Sequence, residues 1–374
     1  MSIVDWNAVR SYFPVCSKTV YLNAAGGSPI AVNAAIEGKR YFDEMLLHGD
    51  ACWDEWLART ERVRSKLAGF IGARPEEIAF VPNTSMGMGI IAQLLKGKGA
   101  VLTMEDEFPS STFPWINLGF KMDYLPSEQG TYPVEKIERA IRPEHGILVT
   151  SMVQYKTGFR QQIRDLGMVC KKAGLLYVVN ATQAMGIFPI DVESDGVDLL
   201  VFSGLKWACA GYGAGVLYIK SNLLDLPMPF VGWRSVGSPE TMNNRNLRLK
   251  REASLLEAGS PSFPAVFALG GALDLFNGIG REACMNRVLY LSRQLENKLR
   301  SDSFPVIPVL NEEHRSGIIM MKTAQASAIV AELAKRNILV SARGEGLRIS
   351  VHIFNNEEDL EELIIALREL RTLL

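Results

Sequence analysis

One lysine in this sequence is well placed to act as a nucleophile. Lys206 lies in the segment Asp198–Ile219, DLLVFSGLKWACAGYGAGVLYI, where an apolar predicted strand is followed by Ser203, Gly204 and the lysine. A side chain just past a strand end lies at the rim of an α/β sheet, where ligands bind. Partial desolvation there lowers the pKa of an amine, as a lysine that forms a Schiff base requires. Taken alone, the same pattern also fits a solvated surface lysine.

Two further predicted strands end in polar residues. Phe80–Met86, FVPNTSM, runs from a strand into the start of a helix, where Thr84 and Ser85 offer hydroxyls and free backbone N–H groups. That arrangement suits a phosphate group, although a simple helix N-cap has the same sequence pattern. Later in the chain, an apolar run ends at Asn180 and Gln183 follows three residues on.

The elements that would position these residues alternate between short apolar runs and longer amphipathic stretches. This alternation is typical of an α/β protein with a mostly parallel sheet. The predicted strands are Ile78–Val81, Val101–Met104, Ile147–Met152, Leu175–Asn180, Leu199–Ser203 and Val216–Ile219. Helices are predicted over Trp53–Phe70, Met86–Leu95 and Arg164–Lys172.

The last third of the chain has a mixed pattern that fits a smaller α+β domain. Helices are predicted over Pro264–Phe276, Arg287–Leu299 and Glu357–Leu373, and strands over Ile318–Met321 and Leu347–Val351. A chain of 374 residues is long enough for two domains. We expect a large domain over residues 18–250. Residues 1–17 and 251–374 would form the small domain, with Pro- and Gly-bearing segments near the passage between the two.

Composition excludes several classes of function. The formal net charge is −1, from 40 basic and 41 acidic residues, so neither nucleic acid nor an anionic membrane is an expected partner. The first ten residues do not resemble a signal peptide, and no apolar run is long enough to span a membrane. The five cysteines and four histidines are scattered without ligand spacing, so we expect no metal site and a reducing, cytoplasmic location.

The order of these motifs resembles the class V aminotransferase family of fold-type I pyridoxal 5′-phosphate (PLP) enzymes. This family includes cysteine desulfurases and isopenicillin-epimerase-like and kynureninase-like proteins. Further segments that match in the same order are Tyr21–Ala25 (YLNAA), Glu107–Trp115 (EFPSSTFPW), Gly232–Trp233, Glu257–Pro264 (EAGSPSFP) and Leu347–Asp359 (LRISVHIFNNEED). Together the matches cover roughly residues 20–365.

The resemblance implies the PLP-dependent transferase fold of type I. That fold has a large domain with a mostly parallel central sheet flanked by helices, plus a smaller α+β C-terminal domain. The resemblance also implies PLP as the cofactor, a small amino acid as the substrate and a homodimer with shared active sites.

The family pattern assigns a role to each matching residue. Lys206 would hold the cofactor as a Schiff base and move the proton at the substrate Cα. Cofactor contacts are implied for Thr84, Ser85, Phe108, Tyr155, Asn180, Gln183, Ser203, Lys206 and Ser260. Within that set, three hydroxyls (Thr84, Ser85 and Ser203) would bind the phosphate, and Ser260 would reach the phosphate of the neighbouring subunit. Gln183 would hydrogen-bond the ring hydroxyl.

Arg348 is the implied ligand of the substrate carboxylate, because its planar guanidinium suits bidentate recognition. Its alternative role is that of a surface arginine on an edge strand. Arg343 is near enough in sequence to share or contest the role, and Asn23 is implied as a second substrate contact.

Two aromatic residues replace family residues. Phe108 stands where desulfurase-type members have a histidine that stacks on the cofactor ring. A phenylalanine can still stack there but cannot move protons, and it could instead be an ordinary core residue. Tyr155 stands where many members have asparagine, and its phenol could bond the ring hydroxyl or the substrate.

Two other departures limit what can be inherited. Desulfurases need a nucleophilic cysteine on a loop before the carboxylate-binding arginine, and Asn337–Leu347 contains none. Cys209 is near the lysine but is better explained as a packed small residue. Leu205 replaces a histidine that often helps to hold the phosphate, and the loss of one hydrogen bond costs on the order of 1 kcal/mol.

Asn180 is the departure with the greatest chemical consequence. The family normally has aspartate at this position, whose carboxylate keeps the pyridine nitrogen protonated. A neutral amide cannot do this. Asn180 would either accept a hydrogen bond from a still-protonated nitrogen or donate one to an unprotonated nitrogen. The second possibility favours chemistry that needs less electron withdrawal, such as racemisation or β-elimination.

The sequence therefore predicts a PLP enzyme that acts on a small amino acid. Transamination ranks first, C–S or β-lyase and epimerase chemistry second, and desulfurase activity last, because one active-site frame supports all of them. A catalytically degenerate PLP-binding scaffold is the rival hypothesis. Asn180 and Leu205 favour the scaffold, whereas the retained Lys206, Gln183 and Arg348 argue against it.

Overall fold

Helices and strands alternate along residues 4–373, which are the residues that the structure, a computed structural model, describes. The strands are β1 (Val20–Tyr21), β2 (Ile78–Val81), β3 (Ala100–Met104), β4 (Met122–Leu125), β5 (His145–Ser151), β6 (Leu176–Asn180), β7 (Leu199–Ser203), β8 (Gly215–Ile219), β9 (Ile318–Lys322), β10 (Ile338–Leu339), β11 (Ser341–Arg343) and β12 (Gly346–Ser350). The helices are α1 (Trp6–Ser11), α2 (Val32–His48), α3 (Trp53–Ile71), α4 (Thr84–Leu94), α5 (Pro109–Asn117), α6 (Val134–Ala140), α7 (Ile163–Ala173), α8 (Phe263–Ile279), α9 (Arg281–Ser301), α10 (Ala326–Ala334) and α11 (Glu357–Glu369).

The central sheet of the described chain has the strand order β2-β8-β7-β6-β5-β3-β4. Only β8 runs antiparallel to its neighbours, β2 and β7, and the other pairs are parallel. The predicted α/β class with a mostly parallel sheet flanked by helices is confirmed. All residues of β3, β7 and β8 are buried, as expected for strands covered on both faces.

Parallel strands bring their carboxyl ends to one edge of the sheet. β5 ends at Ser151, β6 at Asn180 and β7 at Ser203. The register pairs Ser151 with Asn180, so these two residues are neighbours at that edge. The chain leaves β2 at the same edge and starts α4 at Thr84. The fold therefore gathers four separate segments of sequence at one place.

Helix α8 is apolar on nearly every side and is buried throughout most of its length, as a helix enclosed in a core must be. It packs on α2 and α3, with Gly271 so close to α2 that a Cβ would lie 2.6 Å from the Asn33 carbonyl oxygen. The proposed domain boundary after residue 250 stays a prediction. Helix α8 lies after this boundary but contacts α2 and α3, which lie before it.

Among residues 4–373 no single helix is long and apolar enough to cross a membrane. Helices α8 and α9 reach that length and apolar character only when taken together, and they are bent by 82° relative to each other.

The C-terminal part forms a three-stranded antiparallel sheet in the order β11-β12-β9. The start of the described chain is tied to it, because β1 pairs in parallel with β10. Arg10 also bonds to Asp359 at 2.8 Å and to the Phe354 carbonyl oxygen at 2.6 Å. The segment before residue 18 thus contacts the C-terminal part, with which we grouped it.

A buried ion pair links α3 to the segment before α8, and we expect its loss to be costly. Glu257 accepts hydrogen bonds from Arg64 Nη2 at 3.0 Å and from the Phe80 backbone N–H at 2.8 Å. Glu257→Ala would leave both donors buried and would leave Arg64 paired only to the exposed carboxylate of Glu61. The substitution should lower the free energy of unfolding by about 3 kcal/mol. Urea unfolding measures this change. Arg62→Ala, which breaks an exposed pair with Glu55, should cost under about 1 kcal/mol; equal costs would contradict the prediction.

Candidate active site

An open cavity of about 180 Å³ lies at the carboxyl edge of the central sheet. It is lined by Asn83, Thr84, Ser85, Phe108, Ser110, Ser151, Tyr155, Asn180, Thr182, Gln183, Ser203, Leu205 and Lys206. Every residue implied as a cofactor contact is in this set except Ser260, which lies exposed outside it. The structure thus brings the implied residues together, while their individual roles stay predictions.

One end of the cavity is a cluster of hydroxyls at the start of α4. The Thr84 backbone N–H and its Oγ1 both donate to Ser203 Oγ at 3.0 Å, and Thr84 Oγ1 lies 2.7 Å from Thr182 Oγ1. Asn83 caps the helix by accepting from the Met86 N–H, so the segment is an N-cap as well as a candidate phosphate site. Hydroxyls and a helix N-terminus together suit a phosphate. Thr182 was missed in the sequence, although it stands between Asn180 and Gln183.

The second pair of hydroxyls at this end is more exposed. Ser85 Oγ lies 2.7 Å from Ser110 Oγ, which belongs to α5. The pair connects the starts of α4 and α5 at the cavity mouth. Ser85 is therefore placed beside the hydroxyl cluster, as a phosphate ligand would be.

Lys206 lies in the wall of the cavity and is largely desolvated. Burial lowers the pKa of its amine to about 8, and the positive charges of Arg348 and Arg343 act in the same direction. Its Nζ lies 5.4 Å from the centre of the Phe108 ring. The alternative of a solvated surface lysine is wrong. An amine with this pKa is partly unprotonated near neutral pH and is a better nucleophile than an ordinary lysine.

The lowered pKa of Lys206 predicts how PLP uptake depends on pH. Because only the unprotonated amine attacks a carbonyl, the uptake rate should rise with pH around a midpoint near 8 rather than 10.5. Arg343→Gln removes a positive charge and should move the midpoint upward. Stopped-flow absorbance of PLP added to cofactor-free protein measures the rate, with Arg139→Gln on α6 as the control. A wild-type midpoint near 10.5 would be incompatible with a desolvated Lys206.

Two aromatic rings form the opposite wall. The Phe108 ring is 41% exposed, so it is not a core residue. It meets the Tyr155 ring edge-on at a centroid distance of 5.2 Å and an interplanar angle of 82°. A flat ring entering the cavity could stack on Phe108 while the Tyr155 phenol remains available for a polar contact.

Arg348 lies on β12, the middle strand of the C-terminal sheet, and is only 1% exposed. The alternative of a surface arginine on an edge strand is therefore wrong. Its Nη1 donates to the Tyr155 carbonyl oxygen at 3.0 Å, and its Nε donates to Ser341 Oγ at 3.3 Å. Burial, with the charge of Arg343 in addition, lowers its pKa to about 10. No carboxylate among residues 4–373 forms a salt bridge with it, so it is suited to an anionic ligand.

Gln183 is anchored by the protein at both ends of its amide. Its Nε2 donates to the Ala25 carbonyl oxygen at 3.0 Å, and its Oε1 accepts from Trp207 Nε1 at 2.7 Å. One N–H of Nε2 remains for a ring hydroxyl. Asn23 does not line the cavity; a Cβ on Gly26 would lie 2.6 Å from its Oδ1, so its side chain packs against the turn.

A buried carboxyl that we did not single out lies next to the cavity. Glu107 accepts from the Ser151 backbone N–H at 2.7 Å, from Ser151 Oγ and from Gln154 Nε2 at 2.8 Å. Burial raises its pKa. Glu107 is the first residue of the EFPSSTFPW motif, so the sequence could have indicated it, but we assigned a role only to Phe108 in that motif.

The cysteines take no part in this cavity. All five are free thiols, and burial raises the pKa of Cys209 well above the usual range of a thiol. Cys209 is fully buried, in agreement with a packing role. Residues 4–373 contain no cluster of side chains that could hold a metal ion.

Known proteins match this chain over nearly its whole length. The family described as "Aminotransferase class-V" matches residues 51–363. An uncharacterized aminotransferase, YcbU, from Bacillus subtilis is 26% identical over 95% of each chain. The apo structure of a cysteine desulfurase from Thermococcus onnurineus aligns with a TM-score of 0.90 and 22% identity, over 99% of this chain and 98% of that one.

A mutant of C-DES with glycine covalently linked to its PLP cofactor has the same fold, with a TM-score of 0.88 and 19% identity over 96% of this chain and 98% of that one. The hydroxyl cluster, the aromatic wall and the lysine of lowered pKa fit the phosphate, the ring and the aldehyde of this cofactor. The chain belongs to the class V aminotransferase family of PLP-dependent enzymes.

Proposed function

We propose that this protein is an aminotransferase that acts on a small amino acid. The observation that carries the proposal is the pairing of Lys206, with its lowered pKa, and the buried Arg348, which no carboxylate of the described chain neutralises. One residue supplies a nucleophilic amine and the other a site for a substrate carboxylate. The YcbU relative also has an aminotransferase name, which supports the ranking.

Each residue has a separate task in this proposal, and Arg348, which does not line the cavity, adjoins it through its bond to the Tyr155 carbonyl oxygen. Thr84 and Ser203 would bind the phosphate with hydroxyl and backbone donors, and Phe108 would lie against the ring. Bound PLP withdraws electrons from the substrate Cα and so weakens its bonds. Lys206 would hold the cofactor covalently and then accept and return the Cα proton. Arg348 would orient the substrate by its carboxylate.

Epimerase or C–S and β-lyase chemistry is the second candidate, and Asn180 is the observation that favours it. Its neutral amide replaces the carboxylate expected there, which lowers electron withdrawal by the ring. Desulfurase activity ranks below both, because Asn337–Leu347 has no cysteine. A degenerate scaffold is disfavoured because a scaffold needs neither Lys206 nor Arg348 in these environments.

A panel of amino acids given to the PLP-loaded protein distinguishes these functions. An aminotransferase produces more than one equivalent of the matching keto acid per chain only when a keto-acid acceptor is present. A β-lyase releases ammonia and a keto acid without an acceptor, and an epimerase produces the other enantiomer. We expect the first result. A protein that binds PLP but converts no amino acid in the panel would contradict an enzymatic function.

We also propose a homodimer with shared sites. Helix α2 packs on α8 at Gly38, yet four of its large apolar side chains are exposed: Ile36 57%, Phe42 61%, Leu46 84% and Leu47 74%. A second copy of this chain would cover this face. Ser260, exposed outside the cavity of its own subunit, would be free to reach the other phosphate site.

The dimer leads to a direct prediction. Leu46→Glu combined with Leu47→Glu places two charges in the proposed interface and should convert a dimer into monomers, as measured by sedimentation velocity. Asp43→Asn on the same helix is the control and should leave the dimer intact. A monomeric wild type, or a double variant that stays dimeric, would refute the interface.

The remaining partner and location proposals rest on composition. A net charge of −1 supports a small-molecule substrate rather than nucleic acid or a membrane. Five free thiols support a reducing, cytoplasmic location. Immunolocalisation of the native protein would test this location.

A further inference from the structure

We propose that Asn180 donates a hydrogen bond to the ring nitrogen of PLP and thereby keeps that nitrogen unprotonated. The inference rests on the proposed function, because it needs PLP in this cavity. It concerns a residue that departs from its family, and it decides between the two roles that the sequence left open. The ring nitrogen would be a hydrogen-bond acceptor in this protein.

The orientation of the Asn180 amide carries the argument. The Thr182 backbone N–H, which can only donate, lies 3.0 Å from the Asn180 side chain. The atom facing it must therefore be Oδ1, because Nδ2 has no acceptor capacity. This local bond from an asparagine to the backbone two residues later is a common turn contact. It fixes which end of the amide is oxygen without reference to any ligand.

The other end of the amide, Nδ2, has one donor to spare. Nδ2 lies 2.9 Å from Ser111 Oγ, which takes one of its two N–H groups. Among the contacts of residues 4–373, the second N–H has no acceptor. Asn180 is only 4% exposed and lines the cavity. A buried N–H without a partner costs free energy, and a neutral pyridine nitrogen would satisfy it.

The other polar groups of the cavity would bind the phosphate, the aldehyde and the hydroxyl of PLP. Asn180 is then left to bind the ring nitrogen. The phosphate would occupy the hydroxyl cluster of Thr84, Thr182 and Ser203, and the aldehyde carbon would lie at Lys206. The ring then has two polar atoms left, its nitrogen and its hydroxyl. The spare N–H of Gln183 or the Tyr155 phenol would serve the hydroxyl.

The positive charges around the cavity also favour an unprotonated ring nitrogen. Arg348 and Arg343 are positive, and positive neighbours disfavour a protonated ring nitrogen. Glu107 is the buried carboxyl beside this wall, bonded to Ser151, the strand neighbour of Asn180. Three hydrogen-bond donors already face its carboxyl.

The protonation state bears on the reaction. A neutral ring withdraws fewer electrons than a protonated one, so transamination by the wild type should be slower than transamination by Asn180→Asp. Asn180→Asp restores a carboxylate and should shift the product ratio toward transamination.

Nitrogen NMR of protein reconstituted with PLP labelled with ¹⁵N in the ring tests the inference without reference to turnover. Free PLP at low and high pH provides the two reference positions. In the wild type at neutral pH we expect the bound resonance at the unprotonated position. In Asn180→Asp we expect it at the protonated position. Glu107→Gln, the control for the buried carboxyl, should leave the wild-type position unchanged.

A wild-type resonance at the protonated position, or no difference between the wild type and Asn180→Asp, would overturn the inference while leaving PLP in its site. A shift caused by Glu107→Gln would also overturn it, because Glu107 would then control the ring nitrogen. Absence of any bound resonance would overturn the proposed function itself, and the inference with it. The two failures are therefore distinguishable.

Discussion

Lys206→Ala is expected to abolish covalent attachment of PLP and to lower turnover by at least about 10²–10⁴-fold, the usual contribution of a positioned acid–base group. The reason is that Lys206 would serve twice, as the amine that holds the cofactor and as the group that moves the Cα proton. The cavity otherwise keeps its hydroxyl cluster and aromatic wall, so PLP should still bind, but reversibly. Steady-state turnover and the absorbance of dialysed protein measure the two effects.

Lys172→Ala is the matched control for this variant. Lys172 is 79% exposed at its side chain, pairs with Glu138 on the surface and does not line the cavity. Its removal should leave both turnover and bound PLP unchanged. If Lys206→Ala kept turnover within tenfold of the wild type, Lys206 would not be the catalytic amine.

Arg348→Lys is expected to lower kcat/KM by about 10- to 100-fold. A hydrogen bond to a charged group contributes about 1.5–3 kcal/mol, and a tenfold change corresponds to about 1.4 kcal/mol. Lysine keeps the charge but lacks the planar fork that grips a carboxylate with two parallel bonds. Most of the loss should be a higher KM, because the substrate carboxylate is bound before and during the reaction.

The affinity for PLP separates this role from a general loss of structure. Arg348 bonds to the Tyr155 carbonyl oxygen and to Ser341, not to the phosphate cluster, so PLP binding should change less than tenfold. Arg343→Lys is the companion variant, since Arg343 is exposed and nearby. A larger rise in KM for Arg343→Lys than for Arg348→Lys would transfer the carboxylate site to Arg343.

Much of the large domain could be predicted because its strands are continuous apolar runs. All six strands predicted for the central sheet are present, with ends that differ by at most two residues. The edge strand β4 was missed because its sequence, MDYL, is mostly half-buried or exposed and is not an apolar run. Helix α2 was also missed, since its apolar residues do not form one stripe. The proposed dimer would cover those that are exposed.

The order of motifs predicted most of the residues that line the cavity. It did not predict the hydrogen bonds that these residues form with one another and with the rest of the protein. A sequence places Asn180, Thr182 and Gln183 near one strand end but cannot tell which amide atoms the protein already uses. Those bonds depend on turn geometry after β6 and on partners from distant segments, such as Ala25 and Trp207. The depressed pKa of Lys206 likewise needs the burial that only the folded chain provides.

The central claim is that Lys206 carries the cofactor, and reductive trapping tests it most directly. Protein loaded with PLP should be yellow and absorb at roughly 410–430 nm, as a Schiff base of this cofactor does. Borohydride reduction should fix one equivalent per chain, and peptide mass spectrometry should find it on the peptide that contains Lys206. A cofactor found on another lysine, or a protein that takes up no PLP, would contradict the account.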